Sequence, residues 1–140
     1  MSNYNKFLIN LEKFKKYELE AAQRIKIKFN VEIIKFNDNN EYDFLTNDNL
    51  KYEVKCEPMS LKTNNFFIEI EGYNKPSGLS VTTSDFYIFS DTINYYLIKT
   101  DILKEIIKTS SNKKLIFTKD KLTIGYLLNK FIIINSSELI

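Results

Sequence analysis

The chain has 140 residues, a length that suits one domain and leaves no room for several. Hydrophobic residues make up 44% of it and charged residues 27%, so it can bury a core and does not have the composition of a disordered segment. The formal net charge of +2 permits a polyanionic partner without requiring one. We therefore expect residues 1–140 to form a single domain.

The residue types that are missing exclude several kinds of chemistry. The sequence has no histidine and one cysteine, Cys56, which rules out an internal disulfide, a Cys/His zinc site and catalysis by a Ser-His-Asp or Cys-His set. With only three glycines there is no glycine-rich loop to cradle phosphates, so we expect no nucleotide cofactor. Carboxylates and lysines remain, and any metal ion must be held by oxygen atoms.

The sequence also indicates where the protein is found. Its first twenty residues lack a charged segment followed by a continuous apolar stretch, which a secretory signal would have. No window approaches the roughly 18 apolar residues that a membrane span needs. We expect an intracellular, cytoplasmic protein with no membrane partner.

A long helix is predicted from about Tyr4 to Phe29, because apolar residues recur there three or four positions apart. Glu18 lies on this apolar stripe, so a carboxylate takes a position where a core residue is expected. Glu20 is a rival close by, but it falls off the stripe, and we prefer Glu18 as the carboxylate that points at the rest of the fold. The stripe consists of Phe7, Leu11, Phe14, Ala21, Ile25 and Phe29.

Short alternating segments separated by Asn/Asp-rich turns predict strands along most of the remaining chain, the first three forming a meander. A second helix is predicted from Thr100, which can cap it, to Thr109. This order indicates an α/β (mixed α+β) fold with one central mixed β-sheet flanked by helices. The predicted strands are Val31–Phe36, Tyr42–Leu45, Lys51–Cys56, Phe66–Glu71, Phe86–Phe89, Tyr95–Lys99, Leu115–Thr118, Thr123–Leu127 and Phe131–Ile134, and 76–84 is predicted to be a loop.

A charged pair interrupts the third predicted strand. Residues two apart share a strand face, so Glu53 and Lys55 point one way while their neighbours point the other. Asp43 precedes Glu53 by ten residues with a tight turn between, and in a hairpin it can lie near Glu53. On an unrelated fold the same residues would be surface ion pairs.

Carboxylates that converge from a helix and two paired strands repel one another unless a cation neutralises them. This set, Glu18, Asp43 and Glu53 beside Lys55, therefore predicts a divalent metal site, and oxygen ligands imply Mg²⁺ or Mn²⁺. On the next strand, Glu69 shares a face with Glu71, and either could approach the site if that strand neighbours Glu53. The order of these groups along the chain leads to a resemblance.

A helical Glu followed by a strand Asp and a strand Glu-x-Lys resembles the PD-(D/E)XK nuclease superfamily. The matching residues here are Glu18, Asp43 and the tripeptide Glu53-Val54-Lys55, with Tyr42 standing before the Asp. Residues 67–89 are similar to phage and viral relatives of archaeal Holliday-junction resolvases. The resemblance covers roughly residues 14 to 90 and implies a restriction-endonuclease-like core.

The resemblance implies a Mg²⁺-dependent DNA endonuclease of the junction-resolving type, acting in recombination or repair. It assigns metal binding to Asp43, Glu53, the carbonyl of Val54 and Glu18, the last directly or through a water. It assigns Lys55 to orienting and helping to deprotonate the attacking water. A restriction or repair nuclease of the same fold, or a non-catalytic nucleic-acid-binding domain, remain alternatives.

Loop residues after the Glu-x-Lys strand are candidates for contacts with DNA phosphates. Tyr73 is a loop aromatic that could stack on an unpaired base. Resolving a junction takes two cuts on strands of opposite polarity, so we also expect a homodimer. The late strands from Leu115 to Ile134, with the apolar run at Phe131–Ile134, offer surface for it. The candidate phosphate-binding residues are Lys62, Lys75, Ser77, Thr82 and Thr83.

Overall fold

A computed structural model describes residues 3–37, 41–119 and 122–140 of the chain, and for residues 3–14 it describes the backbone alone. The described residues form two β-sheets and four helices. The helices are α1 (Asn3–Phe29), α2 (Ser60–Thr63), α3 (Thr100–Thr109) and α4 (Lys130–Ile134), and a 3-10 turn lies at Gly78–Ser80. The strands are β1 (Ile33–Phe36), β2 (Phe44–Thr46), β3 (Lys51–Cys56), β4 (Asn65–Gly72), β5 (Lys75–Pro76), β6 (Phe86–Ser90), β7 (Tyr95–Lys99), β8 (Lys114–Phe117), β9 (Thr123–Asn129) and β10 (Glu138–Leu139).

The first sheet is mixed, with strand order β1-β2-β3-β6-β7-β10. Its first three strands form the predicted antiparallel meander. The β3 and β6 strands then pair in parallel, with Glu53 opposite Tyr87 and Lys55 opposite Phe89. This pairing places the Glu-x-Lys strand in the interior of the sheet.

The second sheet is antiparallel, with strand order β5-β4-β9-β8. Its longest pairing joins β4 to β9, so two segments about sixty residues apart in the chain lie side by side, from Asn65 opposite Asn129 to Gly72 opposite Thr123. The single mixed sheet expected from the sequence is therefore wrong. The strands fall into a central mixed sheet and a separate antiparallel sheet. The reason is that α2 separates β4 from β3 in the chain, and β4 then pairs with β9 instead of with β3.

Two hydrophobic clusters pack on opposite faces of the mixed sheet. Ala21, Ala22 and Ile25 of α1 pack with Tyr52 and Phe44 on one face. The other cluster fills the space between the mixed sheet, the antiparallel sheet and α3. Its buried members are Phe66, Ile68, Leu79, Tyr87, Phe89, Ile98, Leu103, Ile107, Leu128 and Ile133.

Polar contacts also hold the antiparallel sheet against the mixed sheet. Lys130, at the end of β9, forms a buried ion pair with Asp91, which follows β6, with 3.7 Å between Nζ and Oδ2. The Asp91 carboxylate also accepts hydrogen bonds from two backbone N–H groups in its own turn. A paired and hydrogen-bonded charge can be buried at a much lower cost than a lone one, so this contact fixes how the sheets meet.

Several predictions for individual segments change. The run Phe131–Ile134 lies in α4 instead of a strand, because the Asn129 side chain caps that helix by accepting from the Phe131 N–H at 2.9 Å. Thr100 does not cap α3: it is the first residue of that helix, and the residue before it makes no side-chain cap. In the same helix Leu103 and Ile107 are buried, whereas Ile102 is exposed.

The first helix largely follows the sequence pattern where its side chains are described. Ala21 and Ile25 are fully buried, but Phe29 at the helix end is 43% exposed and does not continue the stripe. Phe7, Leu11 and Phe14 lie outside the described side chains. Within the described part of the chain, no helix is both long and apolar enough to span a bilayer.

Candidate active site

The alternation of β3 places Glu53 and Lys55 on the face of the mixed sheet that looks toward the antiparallel sheet. Tyr52 and Val54 belong to the cluster under α1, so the residues between them must point the other way. The Lys55 Nζ lies 3.2 Å from the Glu53 Oε1 atom. Both side chains are mostly buried, with 33% of Lys55 and 16% of Glu53 exposed.

Asp43 joins this pair because of the register between β2 and β3. Phe44 is opposite Tyr52, so one step back Asp43 is opposite Glu53 and shares its face. The Asp43 N–H donates to the Tyr52 carbonyl at 2.8 Å, and the Val54 N–H donates to Asp43 Oδ2 at 2.6 Å. A side-chain oxygen thus continues the β2 ladder, which holds the carboxylate in one place.

These three side chains line one wall of a cleft of about 650 Å³ between the sheets. The opposite wall is formed by the antiparallel sheet and by the 3-10 turn that follows β5. The volume lies within the range of roughly 300–1,000 Å³ that small ligands occupy in proteins. The lining residues are Asp43, Glu53, Lys55, Glu69, Gly72, Tyr73, Lys75, Pro76, Ser77, Gly78, Val81 and Thr123.

Burial raises the pKa of both carboxylates. For Asp43, the Val54 N–H and the Lys55 cation oppose the effect of burial without cancelling it. For Glu53, burial is again the main cause of the raised pKa, with Lys55 opposing it and the charges of Asp43 and Glu69 adding to it. A cation bound beside the two carboxyl groups would oppose both rises in pKa, because it favours the ionised form of each.

The pKa of Lys55 is also raised. Burial by itself would lower that pKa, but the Glu53 carboxylate, together with Tyr87 and Asp43, outweighs the burial. Lys55 is therefore a cation in the protein as it stands. It can donate hydrogen bonds to a phosphate or a water molecule, but it is not available as a base in this state.

Glu57 belongs to the same line of side chains and was not predicted from the sequence. It follows β3 at the next position in the alternation after Glu53 and Lys55, and the Phe67 N–H donates to its two carboxylate oxygens at 3.0 Å each. Burial raises the pKa of Glu57 to about 7, with the Phe67 N–H and the Lys55 charge opposing the rise. Its carboxyl thus ties the end of β3 to β4, the strand that carries Glu69.

This raised pKa predicts a pH-dependent stability. Since the folded value of about 7 lies above the ordinary 4.5, the folded chain binds the proton more tightly than the unfolded chain does. The resulting stabilisation is complete below about pH 4.5 and is lost as the pH rises through 7. Glu57→Gln keeps an acceptor for Phe67 and removes the charge, so we expect it to raise the free energy of unfolding near pH 8 by roughly 1–3 kcal/mol.

Urea unfolding at about pH 5 and about pH 8 measures this effect. Near pH 5 the variant and the wild type should differ little, and the variant should show the weaker dependence on pH. Glu105→Gln, at an exposed position of α3, is the matched control and should leave the pH dependence unchanged. An equal pH dependence in Glu57→Gln and the wild type would contradict the assignment.

Glu69 reaches the cleft from the antiparallel sheet. It lines the cleft, and its charge raises the pKa of Glu53. Gly78 packs against the Glu69 backbone with a φ of +53°, and a Cβ on Gly78 would overlap the Glu69 carbonyl oxygen. Only glycine suits this approach, so Gly78 fixes the wall on which Glu69 stands.

The structure does not bring Glu18 to this cleft. It is a partly buried residue of α1, and that helix packs on the face of the mixed sheet opposite to Glu53 and Lys55. Glu20 also lies elsewhere, accepting from the Tyr95 hydroxyl at 2.9 Å and from Arg24 at 3.3 Å. The apolar stripe identified the buried face of the helix but not which side of the sheet it covers.

The candidate phosphate-binding residues divide into two groups. Lys75 and Ser77 line the cleft, and the Ser77 Oγ is buried without a hydrogen-bond partner among the described residues. Lys62 is exposed on α2. Thr82 accepts from the Ser84 N–H at 3.1 Å, and the Thr83 hydroxyl donates to the Glu41 carbonyl at 3.4 Å, so both shape the loop before β6.

Asp85 and Glu71 both lie outside the lining of the cleft. The Asp85 carboxylate accepts from the Lys51 N–H at 2.8 Å, and its own N–H donates to the Lys51 carbonyl. It therefore fastens the start of β6 to β3. Glu71 pairs with Pro76 in the β4–β5 hairpin and lies outside the lining of the cleft.

The oxygen atoms at the cleft fit a Mg²⁺ ion in their chemistry. Mg²⁺ is usually held by one or two carboxylates together with water and substrate phosphates, which Asp43 and Glu53 can supply. The Val54 N–H points at Asp43, and in an extended strand the carbonyl of the same residue points to the same edge. Among the described residues, no group of three acids or thiols converges to hold a metal by itself.

Comparisons with known proteins add no family assignment. No protein-family model matches the chain, and a search of curated proteins finds no significant match.

Proposed function

We propose that the chain is a Mg²⁺-dependent endonuclease that hydrolyses phosphodiester bonds in DNA, with a preference for branched structures. The observation that carries the proposal is the meeting of Asp43, Glu53 and Lys55 on one wall of a cleft. They stand in the order and spacing that resemble the PD-(D/E)XK superfamily. The corresponding substrate is branched or duplex DNA in the cytoplasm, which is the host cytoplasm if a virus or phage encodes the chain.

Asp43, Glu53 and the Val54 carbonyl would hold the metal ion, which is Mg²⁺ or, as an alternative, Mn²⁺. When bound, such an ion lowers the pKa of a coordinated water and neutralises charge on the phosphate. Glu69 reaches the cleft from the antiparallel sheet, so it takes the place of a third carboxylate for which the sequence suggested Glu18. Among the described residues no three acids converge to hold a metal by themselves, so Glu69 would contact the ion through a water molecule.

Lys55 has a separate task in this proposal. Its ammonium group is held by Glu53 at 3.2 Å and remains protonated, so it donates a hydrogen bond to the attacking water or to a phosphate oxygen. The residue then orients the nucleophile and offsets negative charge that grows on the phosphate. In the absence of metal it does not take a proton from the water.

A panel of labelled DNAs tests the substrate class. Four-way junctions, duplexes and single strands of shared sequence are incubated with the chain and either Mg²⁺ or EDTA. We expect Mg²⁺-dependent cuts, most rapid in the junction. If the plain duplex were cut as fast as the four-way junction, a restriction or repair nuclease of the same fold would be favoured instead.

A non-catalytic nucleic-acid-binding domain is the second candidate, favoured by the direct Lys55–Glu53 ion pair, which could serve structure alone. Such a domain would bind DNA without cutting any member of the panel. It would also tolerate Glu53→Gln with no loss of DNA affinity. Cleavage by the wild type therefore separates the two candidates.

The proposal includes a homodimer, since one site cuts one strand and a junction needs two coordinated cuts. The run at Phe131–Ile134 contributes less surface than expected, because Ile133 is fully buried and only Phe131 is half exposed. On the edge strand β8, however, Leu115 and Phe117 are 49% and 60% exposed. Light scattering should give twice the mass of one chain, and a monomer that resolves junctions fully would contradict the dimer.

A further inference from the structure

The β4–β5 hairpin ends in a turn of an unusual kind. Gly72 pairs with Lys75, which leaves Tyr73 and Asn74 as a two-residue turn. Both have positive φ angles, 52° and 62°. This pair of angles is the one that a type I′ turn needs, and asparagine or glycine normally provides it.

Tyrosine is a costly choice at the first of these two positions. A bulky side chain disfavours the left-handed region, and the tertiary structure must compensate for the strain. The Tyr73 N–H donates to the Leu122 carbonyl at 2.7 Å, and beyond the turn the Ser77 N–H donates to the Ile70 carbonyl at 3.0 Å. The first bond ties the turn to the segment before β9, and the second continues the pairing of the hairpin itself, so both hold the strained turn in place.

The Tyr73 side chain gains no burial in return for this strain. It is 71% exposed, so its ring contributes little to the hydrophobic core. Nevertheless Tyr73 lines the cleft that contains Asp43, Glu53 and Lys55, and Lys75 lines it from the same hairpin. An aromatic ring and a cation therefore stand on a fixed support opposite the candidate catalytic groups.

We infer that Tyr73 is a stacking platform for an unpaired nucleobase next to the phosphate that is cut, with Lys75 contacting the backbone beside it. Bases inside a duplex are stacked on their neighbours and do not offer a face to such a ring. Single strands and the bases at a branch point do offer one. This inference rests on the proposed function and names its substrate class: DNA with exposed base faces near the scissile bond.

The test separates the ring from the turn. Tyr73→Asn creates an Asn-Asn turn that suits the positive φ angles, so it should fold at least as well as the wild type. Tyr73→Phe keeps the ring and removes the hydroxyl. Phe29→Asn removes an aromatic side chain that is 43% exposed at the end of α1, outside the cleft lining, and serves as the matched control.

Binding of fluorescein-labelled oligothymidylate and of a fully paired hairpin duplex is measured by anisotropy in EDTA, so no cleavage is needed. We expect Tyr73→Asn to bind the single strand roughly ten- to a hundredfold more weakly and the duplex unchanged, since a base–aromatic stack is lost. Tyr73→Phe and Phe29→Asn should bind like the wild type. Wild-type affinity of Tyr73→Asn for the single strand, or an equal loss for both DNAs, would overturn the inference.

The binding assay distinguishes a failure of this inference from a failure of the proposed nuclease reaction. Tyr73-dependent binding of single strands without any cleavage in Mg²⁺ would defeat the nuclease proposal and leave the stacking platform standing. Conversely, cleavage together with wild-type binding by Tyr73→Asn would defeat the platform and leave the nuclease.

Discussion

Glu53→Gln and Asp43→Asn are each expected to lower the rate of Mg²⁺-dependent DNA cleavage about a thousandfold or more. A metal ion supplies several kcal/mol of charge stabilisation in phosphoryl transfer, and each factor of ten in rate corresponds to about 1.4 kcal/mol. Both carboxylates line the cleft, and neither amide provides the charge that binds a divalent cation. Single-turnover cleavage at saturating Mg²⁺ measures the effect.

The folded structure should survive both substitutions. Burial already raises the pKa of each carboxyl group, so its charge is held at a cost to stability, and a neutral amide of the same size removes that cost. We expect the melting temperature of Asp43→Asn, measured without metal, to equal or exceed that of the wild type. Glu53→Gln also removes the carboxylate that offsets the burial of Lys55, so its melting temperature should stay near the wild-type value. Glu105→Gln on α3 is the control for activity, and wild-type cleavage by both site variants would remove the assignment.

Lys55→Ala is expected to lower the cleavage rate about a hundredfold or more while leaving most of the Mg²⁺ affinity in place. Removing one hydrogen-bond donor that stabilises charge developing in the transition state costs roughly a hundred- to a thousandfold in rate. The Lys55 Nζ atom lies 3.2 Å from Glu53 Oε1. While this amine is protonated, it has no lone pair that could bind a metal. Its loss therefore affects the reaction more than the ion.

Two measurements on the same preparation divide these roles. Calorimetric titration gives the Mg²⁺ affinity, and single-turnover cleavage gives the rate. Lys55→Arg, which keeps the charge but changes the geometry of the donor, should recover part of the rate if charge is what matters. A loss of Mg²⁺ binding in Lys55→Ala equal to that in Asp43→Asn would contradict a role separate from the metal.

The sequence predicts the mixed-sheet side of the site well because its determinants are local. The alternation of β3 places Glu53 and Lys55 together, and a short turn between β2 and β3 brings Asp43 opposite Glu53. The same alternation, carried two residues past Lys55, would have found Glu57. The proline that follows Glu57 favoured ending the strand earlier.

The other wall could not be predicted in the same way. It depends on the pairing of β4 with β9, a contact between distant segments that no local pattern specifies. Without it, the cleft and the place of Glu69 and Tyr73 in it could not be inferred. Likewise, the helical spacing around Glu18 identifies a buried face, but only tertiary structure shows that α1 covers the far side of the mixed sheet.

The short run Phe131–Ile134 shows a different limit. Four consecutive apolar residues suit a buried strand and a buried helix equally, and periodicity does not separate the two. A single side chain decides the outcome, since Asn129 accepts the Phe131 N–H and starts a helix. Part of the apolar surface expected for a dimer is thereby buried in the core of one chain.

One measurement tests the central claim most directly: the number of phosphodiester bonds broken in a labelled four-way junction by the wild-type chain with Mg²⁺, with EDTA, and with Mg²⁺ after Glu53→Gln. We predict cuts in the first reaction, none in the second, and a loss of about a thousandfold in the third. An intact junction in all three reactions, or equal cutting by the wild type and the variant, would contradict the account.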